Sequence, residues 1–128
     1  MSFSVDRIDH VEVLVRDTDA AIRWYGDVLG LTELRRWDHE PVMIGAGGTM
    51  LALFRADASA PAKTGLRSLK GVGWRLVAWR TTKTGFEAAQ RHLSERGIRF
   101  RGPIDHGVAR SIYFDDPDAN LLEITYYV

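Results

Sequence analysis

The chain has 128 residues, a length that fits one domain and can bury a core without disulfide bonds. Lys plus Arg and Asp plus Glu both number 17, so the formal net charge is zero. That balance argues against nucleic acid or an anionic membrane as the partner. Cysteine is absent, which excludes disulfides, thiolate metal sites and cysteine nucleophiles. Neither a signal sequence nor an apolar stretch of membrane-spanning length is visible, so we expect a cytoplasmic protein.

The first half of the sequence predicts a strand, a helix and then three strands. Residues 8–17 alternate with the period of a strand that buries one face. Residues 17–31 change to helical spacing, with Asp17 as the N-cap and Gly30 as the stop. The predicted apolar stripe of this helix is Ile22, Tyr25 and Leu29. The three strands that follow are predicted over residues 32–37, 41–46 and 49–56.

The second half repeats this order after a break. Residues 57–70 lose all periodicity and indicate an exposed linker. A strand is then predicted over 72–81 and a helix over 84–97, with a capping box from Thr84 to Glu87. Three further strands are predicted over residues 98–103, 110–116 and 120–128. Both halves therefore predict the order βαβββ, with an offset of about 66 residues that indicates an internal duplication.

This repeated pattern predicts an α+β domain made of two modules. We place module one at about residues 5–56, the linker at 57–70 and module two at about 72–128. Neither module can bury a sheet face alone. Together they would form a curved mixed sheet with helices on its outer face and a concave inner face.

Three residues on the strands could carry chemistry in such a concave site. His10 and Glu12 lie opposite the valine face of the first strand, and Glu123 lies opposite Leu122 and Ile124 in the last strand. If the apolar faces pack under the helices, these three residues face inward. An imidazole and a carboxylate that converge there suit a divalent metal of the Mn, Fe, Ni or Zn kind. Equally, a lone His at a strand start or a lone Glu in a strand can be hydrogen-bonded or solvated without any function.

Three segments, 8–31, 85–103 and 106–124, resemble the vicinal oxygen chelate superfamily of glyoxalases, bleomycin- and fosfomycin-resistance proteins and extradiol dioxygenases. The last is the most specific, because it is similar to a Tyr-Phe strand, an Asp-Pro-Asp-Gly-Asn turn and a strand with a metal-binding Glu. Ala119 replaces the Gly of that turn. The resemblance implies paired βαβββ modules in a glyoxalase-like fold, a homodimer and a small-molecule ligand. It also implies a metal that chelates adjacent ligand oxygens and acts as a Lewis acid.

The resemblance implies that His10 and Glu123 are metal ligands. The family's other two ligand positions fall on Ala52 and on Leu76, or on Trp74 with a shift of two residues. None of these three side chains binds a metal. Two of the four implied ligands are therefore present, whereas zinc sites in proteins normally keep at least three.

Two functions stay open from the sequence. The first is a metal-assisted enzyme of the glyoxalase or dioxygenase type, with Glu12, His106 or Tyr113 as the acid–base or orienting group. The second is a metal-free binding or resistance protein for small molecules such as antibiotics. Its ligand-contacting residues would be Trp74, Leu76, Ala52 and Trp37.

A third interpretation is a domain whose site has been lost or which only contacts other proteins. Glu12 would then be a structural residue that pairs with Arg75 or Arg110.

Overall fold

The computed structural model describes residues 2–59 and 72–128. These residues form two compact units, one on each side of the gap. Each unit has the predicted order βαβββ and one four-stranded mixed sheet, so the predicted α+β class is confirmed. The predicted linker lies outside the described residues except for 57–59. Within the part of the chain that is described, no helix is long and apolar enough to cross a membrane.

The first unit contains one helix and a sheet in the order β1-β4-β3-β2, in which β1 runs parallel to β4. Its elements are β1 (Val11–Val15), α1 (Thr18–Leu29), β2 (Thr32–Arg36), β3 (Val42–Ala46) and β4 (Thr49–Arg55). The caps of α1 are those predicted. The Asp17 side chain accepts a hydrogen bond from the Ala20 amide at 3.0 Å, and Gly30 ends the helix with φ 70°.

The buried residues of α1 are Ala21, Tyr25 and Val28. Of the predicted stripe, Tyr25 is therefore central, while Ile22 and Leu29 lie half-buried at its margins. In β1, Val13 and Val15 are buried, whereas Val11 at the strand start is 38% exposed.

The second unit has the same layout, with the sheet order β5-β8-β7-β6 and β5 parallel to β8. Its elements are β5 (Val77–Arg80), α2 (Lys83–Glu95), β6 (Arg101–Asp105), β7 (Ala109–Asp115) and β8 (Leu121–Tyr127). The N-cap of α2 is Thr82, which accepts a hydrogen bond from the Gly85 amide at 3.0 Å. The predicted cap, Thr84, is wrong, because Thr82 has the extended backbone of an N-cap and Thr84 is already inside the helix.

The predicted strand 72–81 is shorter than expected. Its first ladder pair is Val77 with Leu122, and β8 itself begins at Leu121. In this parallel register Leu76 would lie opposite Leu121, the first residue of β8, and the residues before Leu76 extend past the start of β8 and cannot continue the ladder. Trp74 and Leu76 consequently precede β5 instead of lying within it.

The two faces of the second sheet differ in chemistry. Leu122 and Ile124 are buried on the same face as Tyr126, whose ring centroid lies 4.9 Å from that of Phe86 in α2. Because side chains alternate along a strand, the opposite face of β7 and β8 is turned away from α2. That face carries Ser111, Tyr113, Glu123 and Thr125.

The turn between β7 and β8 is organised by Asp116, a buried carboxylate. Its Oδ1 accepts hydrogen bonds from the Asp118 and Asn120 amides at 2.9 and 2.8 Å. Its Oδ2 accepts from the Asn120 side-chain amide at 2.9 Å. Ala119 closes the turn with φ 64°, the left-handed conformation that favours glycine.

We predict that Ala119→Gly stabilises the protein, because glycine removes the steric cost of about 1 kcal/mol that a Cβ imposes in this conformation. The free energy of unfolding from urea titration measures the change. Ala46→Gly is the matched control, since Ala46 is exposed at the end of a strand and does not have a positive φ. This control should lose about 0.5–1 kcal/mol. If Ala119→Gly is as destabilising as the control, the turn in solution does not need the left-handed residue.

Candidate functional site

Glu123 is half-buried in the middle of β8, on the face turned away from α2. Ser111 Oγ donates a hydrogen bond to Glu123 Oε2 at 2.5 Å. Thr125 Oγ1 lies 2.9 Å from Ser111 Oγ and donates to the Arg110 carbonyl at 3.1 Å. Ser111 is fully buried, so this small network fixes both the carboxylate and its rotamer.

Tyr113 is the direct partner of Glu123 across the β7–β8 ladder, so the two side chains are neighbours on the same face. Tyr113 is buried, and its hydroxyl lies 2.7 Å from His106 Nε2. His106 itself is exposed in the loop before β7. The sequence named both residues as acid–base candidates, and the structure brings them into one hydrogen-bonded pair.

On the other side of Tyr113 lies Arg101, its ladder partner in β6. The guanidinium carbon of Arg101 lies 5.1 Å from the centroid of the Tyr113 ring, within the range of a cation–π contact. Strand pairing therefore aligns four side chains on one face, which we call the second-unit row. Its members, from β6 to β5, are Arg101, Tyr113, Glu123 and Ala78.

The first unit has an equivalent set of ladder partners, the first-unit row. Its members, from β2 to β1, are Arg35, Met43, Ala52 and Glu12. Ala52 thus occupies the position of Glu123, which agrees with the alignment used in the sequence analysis. Ala52 is fully buried, and the ligand contact predicted for it stays a prediction.

His10 lies one residue before β1, and its two ring nitrogens both contact carboxylates. Nδ1 lies 2.8 Å from Asp9 Oδ2, and Nε2 lies 3.4 Å from Glu12 Oε2. The hydrogen bond with Asp9, and after it the one with Glu12, raises the pKa of His10 above 6.5. The imidazole therefore stays protonated to a higher pH than a free one, and a metal ion that bound His10 would have to displace this proton.

The described residues do not make up the four-ligand metal site that the resemblance implies. Ala52 and Leu76 have no donor atom, and the contacts of His10 are to its own neighbours in sequence. Over residues 2–59 and 72–128, no three His, Asp or Glu side chains are grouped closely enough to hold a metal ion. Within the first unit Glu12 contacts His10, and within the second Arg110 pairs with Asp105 at 3.0 Å.

The three other residues predicted to contact a ligand lie outside the regular strands. Trp74 is fully exposed and Leu76 half-buried, both ahead of β5. Trp37 follows β2 and is 46% exposed, with the guanidinium of Arg35 at 5.5 Å from its ring centroid. Their contact with a ligand stays a prediction.

Ser111 and Arg101 were missed by the sequence reasoning. Ser111 lies two residues before Tyr113 and thus on the same face of its strand, which was a usable signal. Arg101 could not be found in this way, because its position beside Tyr113 depends on the pairing of β6 with β7, which follows an irregular register between Arg101 and Ile104.

Comparison with known proteins gives relatives that share this layout. A curated relative, "Virulence protein STM3117" of Salmonella typhimurium, is 28% identical over 129 residues, which cover 97% of this chain and 86% of that protein. Its crystal structure superposes with a TM-score of 0.73 and covers 98% of this chain and 100% of that one. The "Catechol-2,3-dioxygenase" of Bacillus subtilis is 25% identical over 91% of this chain but only 40% of its own length.

Among solved structures, a "glyoxylase/bleomycin resistance protein/dioxygenase domain" from Frankia sp. EAN1pec is similar in fold. The TM-score is 0.80 at 21% identity, with coverage of 98% of this chain and 100% of that one. The family model described as "Glyoxalase/Bleomycin resistance protein/Dioxygenase superfamily" matches residues 7–124. Because that match covers the whole first βαβββ unit and the second as far as the middle of β8, the chain belongs to the glyoxalase/bleomycin resistance protein/dioxygenase superfamily.

Proposed function

We propose that this chain binds a small organic molecule with two neighbouring oxygen atoms, such as a vicinal diol, without a metal ion. The ligand would lie on the face of the second sheet that is turned away from α2. The hydrogen bonding of Glu123 is the observation that supports this proposal most strongly. One of its oxygens is held by Ser111 at 2.5 Å, and among the described residues the other has no hydrogen-bond partner.

A half-buried carboxylate held in this way is a strong acceptor for a ligand hydroxyl, because its orientation is already fixed before binding. Tyr113 supplies the complementary group. When His106 Nε2 donates to the Tyr113 oxygen, the phenolic proton is available to a ligand oxygen. Glu123 can then accept from one hydroxyl of a diol while Tyr113 donates to its neighbour. The name of the Bacillus subtilis relative contains catechol, a molecule with this arrangement of oxygens.

We predict that the protein binds catechol, whose hydroxyls are adjacent, more tightly than resorcinol, whose hydroxyls are one carbon further apart. Glu123→Gln should weaken catechol binding about tenfold, since a hydrogen bond to a charged group contributes about 1.5 kcal/mol or more. Isothermal titration calorimetry on chelator-treated protein measures both affinities.

The matched control is Glu87→Gln, the same chemical change at an exposed position of α2. It should leave catechol binding as in the wild type. Equal affinity for catechol and resorcinol, or equal losses in the two variants, would contradict the proposal. If binding is lost on chelation and returns with added metal, the metal-free part of the proposal is wrong.

A metal-assisted enzyme of the glyoxalase or dioxygenase type is the second candidate, and one distance favours it. His10 Nε2 and Glu12 Oε2 lie 3.4 Å apart, and two ligands with bonds near 2 Å at a tetrahedral angle are separated by about the same distance. Glu12 is also the ladder partner of Ala52, the position at which the family's carboxylate is missing. Glu12 therefore provides a carboxylate beside His10 on β1, the strand next to the one that carries Ala52.

For this second candidate we predict saturable uptake of zinc or manganese, seen by calorimetry, that His10→Ala abolishes. His39→Ala is the control, since His39 is an exposed histidine of the same unit. Uptake that is absent in the wild type, or equal in the two variants, would remove the candidate.

A further inference from the structure

Arg101, like Arg35 and Arg80, lies over an aromatic ring, whereas some other arginines form ion pairs with carboxylates. Arg36 pairs with Glu33 at 2.7 Å, and Arg110 pairs with Asp105 at 3.0 Å. Arg101 has no carboxylate partner among the described residues. Instead its guanidinium lies over the ring of the buried Tyr113, and a stacked guanidinium keeps its in-plane N–H donors free for an anion.

The neighbours of Arg101 place these free donors beside the proposed binding surface. Arg101, Tyr113 and Glu123 are successive ladder partners on three adjacent strands, so all three project from the same face. Strands lie about 4.8 Å apart, which separates the backbones of Arg101 and Glu123 by roughly 10 Å. A single aromatic ring with substituents at opposite ends can therefore span from the carboxylate to the guanidinium.

The first unit provides a natural comparison. Arg35 holds the same position in the first-unit row as Arg101 does in the second-unit row, and it too lies over an aromatic ring, that of Trp37. However, its row has Met43 and Ala52 where the second has a phenol and a carboxylate. Only the second-unit row combines a cation at one end with a hydroxyl and a carboxylate acceptor further along.

We propose that Arg101 determines the ligand class by binding a carboxylate or similar anionic group, so that the preferred ligand is an anionic vicinal diol. This inference rests on the proposed function, because the diol itself is bound by Glu123 and Tyr113. The two planar N–H groups of the guanidinium match the two oxygens of a carboxylate, which makes a bidentate pair.

The probes are catechol and 3,4-dihydroxybenzoate, which present the same diol without and with a carboxylate on the opposite side of the ring. We expect the wild type to bind 3,4-dihydroxybenzoate about tenfold more tightly than catechol, the factor that corresponds to one charge-assisted contact. Arg101→Gln should reduce the ratio of the two affinities to within about twofold. Arg101→Lys, which keeps the charge but not the planar pair of donors, should give an intermediate ratio.

Arg35→Gln is the matched control, since it removes an equivalent arginine from the other unit, and it should keep the wild-type ratio. Circular dichroism checks that each variant is folded. A wild-type ratio near one, or the same fall in ratio for Arg35→Gln as for Arg101→Gln, would overturn the assignment of Arg101.

Catechol binding distinguishes a failure of the proposed function from a failure of the role proposed for Arg101. Catechol binding that Glu123→Gln weakens, together with no preference for 3,4-dihydroxybenzoate, would leave the proposed function standing and reject the role of Arg101. If neither probe binds the wild type, both proposals are rejected.

Discussion

The register of the β7–β8 hairpin decides which side chains form the candidate site, and Asp116 holds that register. Its buried carboxylate accepts three hydrogen bonds from the turn that it begins. Because side chains alternate along a strand, a slip of one residue would turn Glu123 towards α2 and bring Ile124 to the opposite face. Such a slip is unfavourable because it would bury the Glu123 carboxylate against α2 and move Ile124 from the apolar face to the polar face. The chemistry of the site thus depends on a turn that contacts no proposed ligand.

The two units share one layout, but only the second has a phenol and a carboxylate side by side on its sheet. Both units have the same strand order, and both have an arginine in the outermost strand of the row. They differ in the fourth strand, where Ala52 is buried and Glu123 is held by Ser111. The first unit has its carboxylate on the first strand instead, at Glu12 beside His10. One layout therefore presents two different arrangements of donors and acceptors.

The sequence predicted the parts of this fold that depend on local periodicity. Alternation of Leu122 and Ile124 with Glu123 was enough to assign the faces of β8, and Asp17 and Gly30 were enough to bound α1. The start of β5 was missed because it depends on where β8 begins, which is a contact between residues far apart in sequence. The same dependence on strand pairing hid the position of Arg101 beside Tyr113, whereas the spacing of Ser111 to Tyr113 was a local signal that was missed. The homodimer, the cytoplasmic location and the metal stay predictions.

The most direct test of the account is to map ligand contacts on the folded protein by the amide chemical shifts of an assigned, isotope-labelled sample titrated with 3,4-dihydroxybenzoate. We predict that the saturable shifts are concentrated in β6, β7 and β8, with the largest at Arg101, Tyr113 and Glu123. Saturable shifts confined to α2 or to the first unit, with those three amides unchanged, would contradict it.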